Sequence, residues 1–241
     1  MVFEICASSF ESARNAQLAG ANRIELCSEL GVGGVTPSFG LIKKVMDELS
    51  IENCVLIRPR SGDFTYTDEE FDVMLRDIVL CKELGCKGVV TGVLNPDNTI
   101  DEERTKRLME ASGTMDFIYH RAFDCVPNPT EAIKLLKKLG VKRILTSGGK
   151  KSAVEGLPLL KELNALAEEK ITIMPGGGIN PQTILKIKEA GFNEVHFSGT
   201  IFEKSESQLP FSFNTASFLD ESVRPISGIE QIKLIINAMN G

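Results

Sequence analysis

The stretch Gly20-Ala21-Asn22-Arg23-Ile24-Glu25-Leu26-Cys27 decides the architecture, because its opening grammar recurs at Gly85-Cys86-Lys87-Gly88-Val89, Gly140-Val141-Lys142-Arg143-Ile144 and Gly191-Phe192-Asn193-Glu194-Val195. Each begins with a glycine that closes an amphipathic run, and an aliphatic residue follows four positions later. Glycine accepts the left-handed conformation just past a helix's last turn, so each stretch predicts a helix end running into a strand. The joins recur roughly every 50–65 residues, the span of about two strand–helix units in a closed barrel.

Helix starts are placed by capping signals. Ser8 with Glu11, Thr67 with Glu70, Ser152 with Glu155 and Ser227 with Glu230 have the spacing of a reciprocal cap. Thr36-Pro37, Asn128-Pro129 and Asn180-Pro181 put a cap before a proline, and Asp101-Glu102-Glu103 starts one more helix with charges suited to its dipole. Between these eight starts lie eight apolar strands: Phe3–Ala7, Arg23–Cys27, Cys54–Arg60, Gly88–Val93, Phe117–Phe123, Arg143–Thr146, Ile171–Met174 and Glu194–Phe197. Strict alternation demands parallel pairing with right-handed crossovers. The reading is an α/β protein, a single TIM (β/α)8 barrel over residues 1–241. An open doubly wound sheet is the runner-up, but its glycine-rich first turn is missing. A long stretch at about 200–226, bearing Phe202, Phe211, Phe213 and Phe218, reads as an irregular loop before the last helix, either a lid or an oligomer contact.

The 241 residues are 42% hydrophobic and 25% charged, with a net charge of −6. That balance suits one globular domain and disfavours nucleic acid or an anionic membrane as partner. No signal peptide or membrane-spanning stretch is expected. The six cysteines form no C-x-x-C pair and read as reduced thiols of a cytoplasmic protein.

Strand parity then points to function. If Phe3, Ile5, Ala7, Ile24 and Leu26 face the helices, Glu4, Cys6, Glu25 and Cys27 face the lumen. The same alternation turns Arg58, Arg60, His120, Thr172, Met174, His196 and Ser198 inward. Barrel interiors are ordinarily filled by valine, isoleucine and leucine. Buried charges must pair, bind something or stay wet, so this set reads as a structural Glu–Arg plug or as a ligand site. A small anion has its own signals. Gly176, Gly177 and Gly178 follow strand seven, Ser198 and Gly199 end strand eight, and Ser147 and Gly148 follow strand six, where backbone N–H groups can approach a phosphate. Cys6 and Cys27 occupy equivalent places on adjacent strands, where two thiols could share a soft ion with Met174 as a third ligand. Cys54 is expected at the opposite barrel end, and Cys81, Cys86 and Cys125 as structural thiols.

Arg23-Ile-Glu-Leu-Cys27, Gly33-Gly-Val-Thr-Pro-Ser38, Arg58-Pro-Arg-Ser-Gly-Asp-Phe64, His120-Arg-Ala-Phe-Asp124, Leu145-Thr-Ser-Gly-Gly149 and Ile173-Met-Pro-Gly-Gly-Gly178 together resemble the CutC copper homeostasis family, in order and to about Gly199. The resemblance implies a barrel, a cytoplasmic setting, self-association as a homodimer or higher homo-oligomer, and a role in copper handling. Copper, as Cu(I), is then the implied metal, and softness and parity place it at Cys6 and Cys27. The alternative is an enzyme acting on a small phosphorylated or carboxylated metabolite. Glu4 or Glu25 would be its base and His120 or His196 its acid, with Arg58 and Arg60 on the anion and Asp124 closing the His120 segment.

Overall fold

The computed structural model describes residues 1–205, 210–212 and 220–239. Eight strands, β1 (Val2–Ala7), β2 (Arg23–Leu26), β3 (Glu52–Leu56), β4 (Gly88–Thr91), β5 (Asp116–Tyr119), β6 (Arg143–Thr146), β7 (Thr172–Pro175) and β8 (Glu194–Phe197), pair in parallel in the order β7-β6-β5-β4-β3-β2-β1-β8. A parallel bridge between Gly176 and His196 brings the two ends of this sheet together, so the barrel is nearly closed. Around it stand α1 (Phe10–Leu18), α2 (Phe39–Glu48), α3 (Asp68–Glu83), α4 (Glu102–Ser112), α5 (Pro129–Leu139), α6 (Leu157–Ala167), α7 (Thr183–Glu189) and α8 (Ile229–Asn237).

The expected chain grammar is present. Gly20, Gly85, Gly140 and Gly191 all have positive φ, between 77° and 89°, where the chain leaves a helix for the next strand. Thr67 forms a complete reciprocal cap with Glu70, and Asn128 caps α5 ahead of Pro129. Other starts shift. Ser9 caps α1 in place of Ser8, and Ser38 caps α2 in place of Thr36. Ser227 caps nothing: its N–H donates to Ser12 Oγ and its hydroxyl to the Cys6 carbonyl, tying the end of the chain to α1 and β1.

Expected strands stop early, β4 at Thr91 in place of Val93 and two others by more. β3 ends at Leu56, because the backbone N–H of Arg58 donates to Thr36 Oγ1 and Pro59 has no N–H to give a ladder. β5 ends at Tyr119, and residues Arg121–Cys125 turn into a short 3₁₀ helix capped by the His120 ring. The segment expected to be wholly irregular is framed by an antiparallel ribbon, β9 (Thr200–Lys204) with β10 (Val223–Ser227). Phe202 and Phe211 are exposed there, while Phe213 and Phe218 lie outside the described residues.

Strand alternation divides the apolar interior in two. Phe3, Ile5, Ala7, Ile24, Leu26, Val55 and Val89 pack under the helices. Cys6, Cys27, Cys54, Leu56, Val90, Ile118, Leu145 and Met174 form a separate cluster inside the barrel. Charged side chains complete that inner layer and define its chemistry.

Candidate functional site

The lower half of the lumen is a closed ion network. The Arg23 guanidinium bridges Glu4, through a short contact from Nε, and Glu194, 2.7 Å from Nη2. Arg143 joins the same Glu194 at 2.8 Å and Asp116 at 2.7 Å. Met174 Sδ lies 3.5 Å from Arg23 Nη2 and belongs to this level. Cys54 sits beside it, and the surrounding burial raises its thiol pKa. Strand parity places Arg23, Arg143 and Glu194 inward just as it does Glu25, Leu145 and His196 two positions later. Of these pairs, the expected site held Glu25 and His196 but none of the three residues beneath them.

One layer above, the expected lumen residues converge. His196 Nδ1 is 2.8 Å from Glu4 Oε1 and 3.8 Å from Glu25 Oε2. Cys6 Sγ is 3.6 Å from Cys27 Sγ and 4.0 Å from Glu25 Oε1. One ligand atom from each of Cys6, Glu25 and His196 falls within 4.8 Å of the others. These side chains form the floor of a cavity of about 350 Å³ that opens at the C-terminal ends of the strands. Leu30, Leu56, Phe64, Leu145 and Ile179 supply its apolar walls, and Arg58, His120, Arg121 and Ser198 its polar ones.

Electrostatics differ sharply from residue to residue. Burial favours protonation of Glu4, but the hydrogen bond from His196 and the charge of Arg23 override it and hold the carboxyl down at about 2. Burial also opposes charge on His196, yet Glu25, Cys6 and Glu4 together raise its pKa well above the ordinary imidazole value. For Glu25 burial wins over the opposing charges of His196 and Arg23. Burial and the neighbouring Glu4 charge push it up to about 7, and Oε2 has no hydrogen-bond partner. The Cys6 thiol is raised by its contact with Cys27, by burial and by Glu25. At the mouth, burial and the Arg58 charge depress His120 to about 3. The neutral ring accepts the Ala122 N–H at Nδ1, which leaves the proton on Nε2, a buried atom with no partner.

Not every expected residue reaches the cavity. Arg58 does, but its amino groups serve the carbonyls of Val32, Gly34 and Gly62. Arg60 does not: beyond the end of β3 it turns to Glu70, Asp63 and the Thr65 carbonyl outside the mouth. Asp124 fills the turn after β6. Its carboxylate accepts from Thr146 Oγ1, Ser147 Oγ and the N–H groups of Ser147 and Gly149, and pairs with Arg121. The Gly148 N–H donates to Thr146 Oγ1, so the Ser147–Gly148 turn already holds an internal anion. Gly177, Gly178 and Ser198 do line the cavity, whereas Gly176 donates to the Thr146 carbonyl and Gly199 packs against Ile232.

The floor suits a soft metal. At a metal–sulfur bond of about 2.3 Å, two sulfurs on one ion stand at most about 4.6 Å apart, which the Cys6–Cys27 separation satisfies. Glu4 accepting from His196 Nδ1 is the carboxylate–histidine arrangement that orients a ligating imidazole and leaves its other nitrogen for the ion. Met174 is already engaged below.

Comparison with known proteins shows the family. The CutC family model matches residues 1–201. A family protein CutC of Pasteurella multocida (strain Pm70) is 45% identical over 215 residues, covering 89% of this chain and 87% of its own. Its counterpart in Citrobacter koseri is 45% identical over 204 residues, covering 85% and 82%. Among solved structures, the CutC protein of Streptococcus agalactiae, named for copper homeostasis, superposes with a TM-score of 0.78 at 34% identity, covering 82% of this chain and 98% of that one. An aldolase, QR15, superposes with a TM-score of 0.61 at 12% identity, covering 81% of this chain and 89% of its own, and shares the fold alone. Barrel, lumen motifs and relatives converge: this chain belongs to the CutC family.

Proposed function

We propose that this chain handles copper, holding Cu(I) as cargo at the lumen floor through Cys6, with Cys27, Glu25 and His196 completing the donor set. The observation that carries the reading is the convergence of Cys6, Glu25 and His196 to within 4.8 Å, with a second thiol 3.6 Å from the first. Thiolate is the side-chain donor that favours Cu(I), and Glu4 would keep His196 oriented. The copper homeostasis name of the Streptococcus agalactiae relative supports the same reading. The Cys6 thiol is protonated before loading, so uptake releases a proton and weakens as pH falls. All six cysteines are unpaired, in keeping with a cytoplasmic setting where thiols stay reduced.

The test is Cu(I) uptake under anaerobic competition with a chromogenic chelator. Wild type is expected to take up copper in a fixed ratio, and a Cys6→Ser/Cys27→Ser double variant of unchanged fold to lose it. Undiminished uptake by the double variant removes the proposal.

A further inference from the structure

A single ion occupies little of the chamber. The cavity of about 350 Å³ is roughly ten times the ≈ 30 Å³ share of one water molecule in the liquid. Sites for small organic molecules begin at about 300 Å³.

The upper walls carry polar groups that the floor cannot use. Glu25 is in register with Cys54 of β3, four residues before Arg58 in the chain, so its carboxylate lies deep and Arg58, beyond the strand's end, near the mouth. Arg58 is buried at 5% exposure, yet among the described residues no carboxylate pairs with it, and its Nε has no partner. The carbonyl dipoles and the Phe64 ring around this buried cation carry no full negative charge, so an anion nearby is favoured. His120, also 5% exposed, lines the same space, and its buried Nε2–H has no partner.

The loops beyond β6, β7 and β8 differ in one respect. Donors after β6 are spent on Asp124. Among the described residues, the backbone N–H groups of Gly178, Ser198 and Gly199 donate to no acceptor, while that of Gly177 faces β8 across the bridge between Gly176 and His196. Gly177 and Gly178 have φ of 100° and 69°, a backbone that side chains disfavour and that lets consecutive N–H groups converge. The Arg121 guanidinium stands beside them, with Nη1 3.7 Å from where a Gly177 Cβ would sit.

We propose that the upper cavity binds a small organic phosphate monoester, such as a phosphorylated polyol or sugar. Its phosphoryl oxygens are taken by the N–H groups of Gly178 and Ser198 and by Arg121. Its hydroxyl or carbonyl groups reach His120 Nε2, and the Arg58 charge balances its own. The site does not rest on the copper reading, since neither cysteine takes part.

The test is isothermal titration of the metal-free full chain with inorganic phosphate, sn-glycerol 3-phosphate and ribose 5-phosphate, with glycerol as control. At least one ester is expected to bind at about 1 mM or tighter, more tightly than inorganic phosphate, with no heat from glycerol. Because Arg58 also ties three loop carbonyls, the variants of choice are Arg121→Gln, at a half-exposed side chain, and His120→Leu. Each is expected to weaken the ester by about tenfold, while Arg76→Ala, in an exposed ion pair on α3, leaves it unchanged. Equal affinity for inorganic phosphate and both esters means an adventitious ion only. That result, no binding by any of the three, or full binding by both folded variants overturns the proposal.

Discussion

At the scale of single residues the lumen is organised by Glu4. One fully buried carboxylate accepts from Arg23 on one oxygen and from His196 on the other, and so couples the ion network below to the thiol layer above. Glu4→Gln keeps the volume but strips the negative charge from between two buried cations. Breaking a buried pair from one side costs about 3–5 kcal/mol, whereas solvent screens an exposed pair such as Arg76–Asp72 and leaves it little to contribute. Urea unfolding of Glu4→Gln and Arg76→Ala should therefore separate widely, and a Glu4→Gln midpoint equal to wild type would refute the coupling. Strand parity made Glu4, Cys6, Glu25, Cys27, Arg58, His120 and His196 legible from the amino-acid order alone. Arg60 was not, because parity holds only while the chain stays extended, and Pro59 ends that. Arg23, Arg143 and Glu194 carry the same parity signal, and Arg121 carries none. It reaches the cavity only because residues 121–125 coil into a 3₁₀ turn.

At the scale of elements, the glycines separate conformational strain from crowding. Gly140 has φ of 89° with nothing within 4 Å of where a Cβ would sit, so Gly140→Ala tests strain alone, about 1 kcal/mol. Gly34 has nearly the same φ of 84°, but its Cβ would meet Leu56 Cδ2 at 2.7 Å and Cys27 Cβ at 3.5 Å, in the wall beside the thiol layer. Gly34→Ala should cost about 1–3 kcal/mol more than Gly140→Ala, because overpacking adds to strain. Equal losses in thermal unfolding would mean that this wall yields freely. Element order was readable because helix-closing glycines and caps act locally. Element ends were less so: Ser227 has perfect capping spacing, yet a tertiary partner, Ser12 on α1, claims its N–H.

At the scale of the whole molecule, the buried groups set where the metal-free fold is most stable. Glu4, at about 2 when folded against 4.5 when free, contributes stability that is lost as pH falls below 4.5. His120, at about 3 against 6.5, acts in the same direction, since the unfolded chain takes the proton first and stability falls from 6.5 downward. Glu25 runs the other way. At about 7 against 4.5, the folded chain holds the proton longer, and its contribution drains away as pH rises from 4.5 to 7. His196, raised well above 6.5, adds stability below that value that is lost at higher pH. Between 4.5 and 6.5 the His120 and Glu25 slopes, each about 1.4 kcal/mol per pH unit, oppose and cancel. Urea midpoints should therefore form a plateau across that window and decline on both sides, a maximum on the acid side of neutrality. Glu25→Gln removes one of the opposing slopes, so its midpoint should climb through the same window. A wild-type curve still rising from pH about 6.5 to 8 would show that the carboxylate and imidazoles of the floor do not hold the protonation states their burial and neighbours impose.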